Sequence, residues 1–295
     1  MYIGFIGLGE AGYFMSKGLT KEGIPAIKAF DVALTMEGKY KQTILDRAGD
    51  AGITLVSSME ELAGNTSIIF CAVQAQYAQD VAASALPAIK PGSVYVDVTT
   101  AKPAQKEALA EKFRVKGISY VDGAMMGSLP VDAHKVPMLC SGEGAEDICS
   151  TMNKYGMKMT FVPGKAGMAS IQKLVRSSFM KGTEALAVET LLIAKKMGVE
   201  KETLQSLATS MAQSSFDETL IRLARADTIH AERRAHEIED CAEFMLENSI
   251  TPIMAKATVE RLRRSATMRL KEELGGVTPK TIEEVYALWD AKQYC

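Results

Sequence analysis

The chain has 295 residues, 47% hydrophobic and 24% charged. That is enough apolar material for two folded domains and too much for a disordered or fibrous chain. A formal net charge of −2 leaves no broad basic field for nucleic acid, and no apolar run approaches the roughly 18 residues that a membrane span needs. Five cysteines lie far apart without CxxC spacing, which argues against a zinc site and against a disulfide framework. No metal is therefore expected, and reduced thiols in a cytoplasmic compartment fit best. The first residues already read as a strand and a turn, without the charged and apolar regions of a signal peptide.

Residues 2–6 are a short apolar run that ends in glycine, followed by a helical pattern over residues 11–21. Residues 26–30 read as a second strand and residues 67–73 as a third. A fourth strand, residues 93–98, follows the Lys-Pro-Gly turn at Lys90 to Gly92, and residues 118–121 and 137–140 complete the set. Between them lie Ala- and Glu-rich helical segments such as residues 103–113. Strands alternating with helices predict an α/β fold with a parallel, doubly wound sheet, the Rossmann arrangement, over residues 1–163. One long proline-free helical pattern then runs over residues 166–197. Beyond it, residues 201–212, 216–224, 231–247, 253–274 and 281–289 are helix-like, with Pro252 and Gly275-Gly276 as breaks. The expected organisation is a Rossmann domain (1–163), an interdomain helix (164–198) and an all-helical C-terminal domain (199–295), with the active site in a cleft between the domains.

The run Gly7-Leu8-Gly9-Glu10-Ala11-Gly12 is a GxGxxG that follows a strand and opens a helix. In that context Gly7 permits the tight turn, Gly9 lets a pyrophosphate approach the backbone, and Gly12 lets helix and strand pack closely. The amides at the helix N-terminus, with the helix dipole, face the phosphates. Asp31 ends the second strand about 20 residues on, where the dinucleotide fingerprint places an acid for the ribose 2′-hydroxyl. A glycine-rich turn in an unrelated sheet would lack this combination. The acid favours NAD, while Lys39 and Lys41 leave NADP open.

The segment at residues 4–19, GFIGLGEAGYFMSKGL, resembles the N-terminus of the β-hydroxyacid dehydrogenase family, which includes 3-hydroxyisobutyrate and 6-phosphogluconate dehydrogenases. Three further segments agree in order and spacing. Val96 to Pro103 is similar to the family's D-x-S-T-x-x-P loop, Asp122 to Ser128 to its D-A-P-V-S-G-G substrate loop, and Gly164 to Lys173 to the glycine-rich entry of the helix that carries the catalytic lysine. The resemblance covers essentially the whole chain and points to a divergent branch whose C-terminal domain is uncharacterised and phosphogluconate-dehydrogenase-like. It departs at two places: Met126 replaces the serine of the substrate loop, and Ser177 replaces the asparagine four residues after the lysine.

The resemblance implies an NAD(P)-dependent oxidoreductase acting on a small 3-hydroxy acid or a related aldonate or semialdehyde, with Lys173 as general acid/base. Without the resemblance, a solvated helix lysine is the better reading of Lys173. Gly127 and Ser128 are expected on a substrate carboxylate, Thr100 and Ser177 on the substrate, and Val73 and Thr99 on the cofactor. Lys181 falls on the Lys173 face of the helix and is a candidate for a further anionic group, a pairing with Glu184 being as reasonable. Met125 and Met126 hint at an apolar substituent, though methionine is also ordinary filler. Arg233, Arg234, Glu237 and Glu239 are better read as a solvated helix face than as a substrate-reaching group, and His134, His230 and His236 show no metal or nucleophile spacing. Two rival readings remain: an imine reductase, which shares the architecture but usually lacks the lysine, and a dinucleotide sensor without turnover. A homodimer through the helical domain is expected, because a long apolar-striped helix followed by a thin helical core buries too little by itself.

Overall fold

The computed structural model describes residues 2–294 and divides into two compact units, Met1–Ser178 and Phe179–Cys295. In the first unit the chain runs β1 (Ile3–Ile6), α1 (Glu10–Lys21), β2 (Ile27–Phe30), α2 (Lys39–Ala51), β3 (Thr54–Leu55), α3 (Met59–Gly64), β4 (Ile68–Cys71) and α4 (Ala78–Ala85). It continues through β5 (Val94–Asp97), α5 (Pro103–Val115), β6 (Ser119–Met125), α6 (Leu129–Asp132), β7 (Pro137–Ser141), α7 (Ala145–Asn153) and β8 (Lys158–Phe161), and ends in α8 (Met168–Met197). The unit boundary lies inside α8.

The strand order is β3-β2-β1-β4-β5-β6-β7-β8. The first six positions carry the Rossmann order, which reverses direction between β1 and β4 and opens a crevice at the carboxyl ends of those strands. Strands β1 and β4 are buried on both faces, as their unbroken apolar sequences require. One face packs Ile3, Phe5, Leu19 and Phe70 together, with Phe5 stacked on Phe70 at 5.2 Å. The other packs Tyr95, Phe113 and Tyr120 around Leu62 and Leu109.

The sheet departs from the sequence expectation in two respects. It is not wholly parallel: β7 runs antiparallel to β6, joined through the short connection that carries α6. It also has two edge strands beyond the set expected from the sequence: β3, whose two residues are too few for an alternating pattern to register, and β8, whose four residues Lys-Met-Thr-Phe do alternate. Register has a direct consequence for chemistry. Asp97 of β5 pairs with Asp122 of β6, and Asp122 pairs with Ser141 of β7, so three polar residues lie side by side across the sheet.

In the second unit the chain folds as α9 (Glu200–Met211), α10 (Phe216–Glu247), α11 (Ile253–Ala266), α12 (Leu270–Glu273) and α13 (Ile282–Ala291), together with the end of α8. The two segments expected at 216–224 and 231–247 are one helix of 32 residues. It starts from a Ser215/Glu218 capping box and continues through the polar stretch at 225–230, where Thr228 bonds back to the Arg225 carbonyl. The single helix expected at 253–274 is instead broken, because Arg269 takes a left-handed conformation at φ 54 between α11 and α12.

Candidate active site

The glycine loop between β1 and α1 has the steric signature of a dinucleotide cradle. Gly7 sits at φ 89, and a Cβ there would lie 2.8 Å from the Ala72 carbonyl oxygen. At Gly12 a Cβ would lie 2.1 Å from the Gly7 carbonyl oxygen, so no side chain can be accommodated. At Gly9 a Cβ would meet nothing within 4 Å, which leaves open space beside the backbone. Helix α1 begins at Glu10 with no side chain capping it, so its first amides and the positive end of its dipole face that space. These residues fit a nicotinamide dinucleotide: open room at Gly9, unclaimed donors at Glu10 and Ala11, and close helix–strand contact at Gly12. Leu8 lies in the same loop, and the Val73 side chain packs against Gly7 from the end of β4.

Asp31 does more in this loop than its strand-end position implied. One carboxylate oxygen accepts the Leu8 amide at 2.8 Å, and the other accepts the Ala33 amide at 2.9 Å. The acid therefore ties the end of β2 to the glycine loop and keeps lone pairs for a ribose hydroxyl. Arg47, which sequence reading did not single out, donates to the Leu8 carbonyl at 3.0 Å and lies over the Tyr13 ring.

A second group of residues forms a buried polar network across β5, β6 and β7, where Asp97, Asp122 and Ser141 lie side by side. Lys106 of α5 and Asp122 of β6 are both completely buried, with the ammonium 2.7 Å from the carboxylate. Lys106 also donates to the Asp97 carbonyl at 3.0 Å. The Asp97 carboxylate accepts from the Tyr120 hydroxyl at 2.5 Å and from the Thr99 amide at 2.8 Å. Desolvation, with Asp97 alongside, pushes the Tyr120 hydroxyl far above its ordinary range, so it stays protonated as a donor.

Asp122 in turn caps the start of α8. It accepts the Gly167 amide at 3.0 Å, the Ser170 amide at 2.9 Å and the Ser170 hydroxyl at 2.7 Å, while Ser141 receives the Ala169 amide at 2.9 Å. The orphan donors of this helix end are thereby satisfied from the sheet. Gly167, at φ 103, fits where a Cβ would come within 2.9 Å of the Pro103 carbonyl oxygen, and this is why the helix starts at Met168 and not at residue 166.

Lys173 stands one turn beyond Ser170 on the same helix and is half-buried. Burial lowers its pKa from the ordinary lysine value; the positive charge of Lys106 pushes in the same direction and Asp122 opposes it. A lysine so placed can hold the neutral amine form nearer the working range, which is what a proton acceptor requires. Ser177, one turn further, is also partly buried.

The other sequence candidates are distributed less simply. Thr99 is buried and its hydroxyl accepts the Ala101 amide at 3.2 Å, so it shapes the loop after β5, whereas Thr100 is exposed. Gly127 and Ser128 are exposed, and the Ser128 amide is already held by the carboxylate of Asp132 at 3.1 Å. The anion that the sequence reading assigned to that amide is here supplied by the chain. Lys181 belongs to the second unit and is exposed. Arg233 pairs with Glu237 one turn away on an exposed face of α10, while Glu239 receives both Arg263 and His236.

Comparison with known proteins decides the family. Residues 2–163 match the NAD binding domain of 6-phosphogluconate dehydrogenase, and residues 194–265 match a domain of unknown function, DUF1932. The chain belongs to the β-hydroxyacid dehydrogenase family. It is a nicotinamide-dinucleotide-binding member with the divergent C-terminal domain. Among its relatives, an uncharacterized 28.5 kDa protein of Methanothermus fervidus is 29% identical over 88% of this chain and 96% of that protein. The 2-(hydroxymethyl)glutarate dehydrogenase of Eubacterium barkeri is 26% identical over 72% of this chain and 70% of that enzyme. Among solved structures, the V8 variant of an imine reductase from Myxococcus stipitatus in complex with NAD+ covers 90% of this chain and 94% of its own. Its TM-score is 0.73 at 18% identity, a likeness of fold.

Proposed function

We propose that the chain is an NAD(P)-dependent oxidoreductase that interconverts a 3-hydroxy acid, or a related aldonate, and its carbonyl partner, with Lys173 as general acid/base. The observation that carries this reading is the half-buried Lys173, one turn beyond a helix start that the sheet fixes through Asp122, with its proton affinity depressed by burial. Gly7 to Gly12 and Asp31 would hold the cofactor, which when bound would accept or donate the hydride. In oxidation the neutral Lys173 amine takes the hydroxyl proton as the carbinol carbon gives up hydride, leaving the carbonyl product and an ammonium. In reduction the ammonium returns that proton to the carbonyl oxygen. The 2-(hydroxymethyl)glutarate dehydrogenase relative supports a branched, doubly acidic substrate class. NAD is the expected preference, from Asp31.

Because burial holds the folded-state pKa of Lys173 below the ordinary lysine value, the rate of alcohol oxidation rises with pH with a midpoint below that of a free lysine. The deciding experiment is turnover of NAD(H) and NADP(H) on a panel of 3-hydroxy acids and aldonates, with wild type beside Lys173→Ala. A substrate that reduces NAD in the wild type, with most of the rate lost in the variant, supports the reading. Full activity in the variant removes Lys173 from the chemistry, and cofactor binding without turnover on any substrate points to a sensor.

One observation favours a second reading. The Asp132 carboxylate on the Ser128 amide makes the substrate loop anionic, which suits an iminium cation better than a carboxylate. Cyclic imines therefore belong on the same panel. The protein is further proposed to act as a homodimer in a soluble compartment. Exposed apolar side chains on the helical unit, among them Val188, Leu192, Leu204 and Met211, support a second copy as their cover. No helix among the described residues is long and apolar enough to cross a membrane.

A further inference from the structure

Lys106 lies in a helix whose sequence, PAQKEALAEKFRV, looks like a solvated surface, yet its side chain is completely buried. A fully desolvated ammonium is costly and persists only where its charge and its hydrogen bonds are met. Here they are met by Asp122 at 2.7 Å, the Asp97 carbonyl at 3.0 Å and, more distantly, the Asp97 carboxylate at 3.7 Å. The cluster holds one cation and two carboxylates. The excess negative charge points at the start of α8, where Asp122 collects two backbone amides and the Ser170 hydroxyl.

We infer that Lys106 and Asp122 are positioning residues for Lys173: the pair anchors the first turn of α8 to the end of the sheet and sets the electric field at the Lys173 amine with two opposed charges. The inference rests on Lys173 being the acid/base, but it concerns how that lysine is held and can be tested apart from turnover. Five buried hydrogen bonds from Gly167, Ala169, Ser170 and Lys106 converge on Asp122 and Ser141, so the helix end has little freedom to rotate and Lys173, three residues past Ser170, inherits that fixity. The charged and titratable groups that meet at this helix start are Lys106 from α5, Asp97 from β5, and Asp122 and Tyr120 from β6. Strand β7 contributes Ser141 and the buried Cys140 thiol, which its contact with Cys149 and burial hold protonated, and β4 contributes the buried Cys71 thiol, pushed up to about 12 by desolvation; the Glu107–Lys165 pair lies on the surface. Lys106 and Asp122 act on Lys173 with opposite sign, the first favouring the neutral amine and the second the ammonium.

The opposite signs give a test that a purely structural role does not pass. The pH dependence of Lys173 acetylation by trace acetic anhydride, read by mass spectrometry on the intact, folded protein, gives the pKa of that amine without any substrate. Lys106→Met is expected to raise it and Asp122→Asn to lower it, each by about half a unit or more, as loss of a nearby charge does. If the pair only held the helix, either change would loosen the site, expose Lys173 and move its pKa upward in both variants. Upward movement in both, or movement in neither, overturns the inference.

Removing one partner of a buried pair can prevent folding, so the Lys106→Met/Asp122→Asn double variant, which removes both ions of the 2.7 Å contact and leaves Asp97 with its Tyr120 and Thr99 hydrogen bonds, accompanies the single changes. It is expected to titrate below Lys106→Met and above Asp122→Asn, and either comparison alone decides the sign of one charge. Turnover of Lys173→Ala is measured separately: an active Lys173→Ala enzyme sinks the acid/base reading whatever the labelling shows. Unchanged labelling in an enzyme that needs Lys173 sinks only the positioning pair.

Discussion

The sheet unit and the helical unit of this chain are stabilised in different ways. In the sheet unit Phe5, Phe70, Tyr95, Phe113 and Tyr120 are all but inaccessible, and the apolar strands are covered on both faces. Among the described residues of the helical unit the clustered buried core is Met268, Leu270 and Tyr294, while Leu186, Val188, Leu192, Leu204 and Met211 stand exposed. A chain that leaves this much apolar surface on one unit and none comparable in the strands of the other is a self-sufficient dinucleotide domain attached to an unfinished helical one. The buried ion pair lies on the finished side, where Lys106, Asp97 and Asp122 are enclosed, while the buried Glu189 of the helical unit caps the start of α11 through the Met254 and Ala255 amides. Chemistry is therefore expected to fail through changes in the sheet unit, and assembly through changes in the helical unit.

The largest expected effect is on turnover. Lys173→Ala should lower kcat by about 100- to 10,000-fold, the range for loss of a general acid or base, with cofactor affinity and melting temperature nearly unchanged because the side chain is half-exposed and caps nothing. Steady-state rates and a dinucleotide fluorescence titration check both halves of that statement. On stability, Asp122→Ala should be the most damaging single change, costing about 3–5 kcal/mol because it leaves the Lys106 ammonium buried without its partner. A urea titration that gave Asp122→Ala the stability of wild type would contradict the enclosed network. In the helical unit, Leu192→Glu places a charge on the exposed apolar face and should convert the proposed dimer to a monomer in sedimentation while leaving the cofactor titration intact. A wild-type protein that sediments as a monomer would end the contrast between the two units.

A smaller effect is expected at the cofactor loop. Gly12→Ala forces a methyl into the Gly7 carbonyl, and the backbone must shift to admit it. The cost should be about 1–3 kcal/mol, seen as weaker dinucleotide binding or a lower melting temperature, whereas Gly9→Ala meets open space in the free protein and should leave stability alone.

What could be read in the sequence followed from local periodicity and contiguous motifs. The glycine loop, strands β1, β2, β4 and β5 and the long helix α8 announce themselves in consecutive residues, so their existence was legible and only their ends moved. The reversal of β7 was not, because strand direction depends on how a connection returns to the sheet and leaves no mark on alternation. The polar network was missed for a similar reason. Asp122 and Ser170 both fall within recognisable motifs, but 48 positions separate them and their contact is made only in three dimensions. Lys106 did carry a signal: it falls on the same stripe of α5 as Leu109 and Phe113, the face that is buried, and a charge on such a stripe calls for a partner. Ser128 shows the converse, since the motif suggested an anion site while an aspartate four residues on had already taken its amide.

That occupied amide gives the last and smallest effect. If the substrate carries a carboxylate that binds at Gly127 and Ser128, Asp132 must release the Ser128 amide first, and its charge opposes the incoming one. Asp132→Asn weakens the internal contact and removes the repulsion, so KM for an anionic substrate should fall by a few-fold, consistent with the roughly 0.5–1.5 kcal/mol of one hydrogen bond, while kcat changes little. For a cationic iminium substrate the sign reverses, and the same substitution should raise KM. One variant measured on both substrate classes thus separates the two readings of the site by the direction in which KM moves, and equal KM values on both would take Asp132 out of substrate recognition.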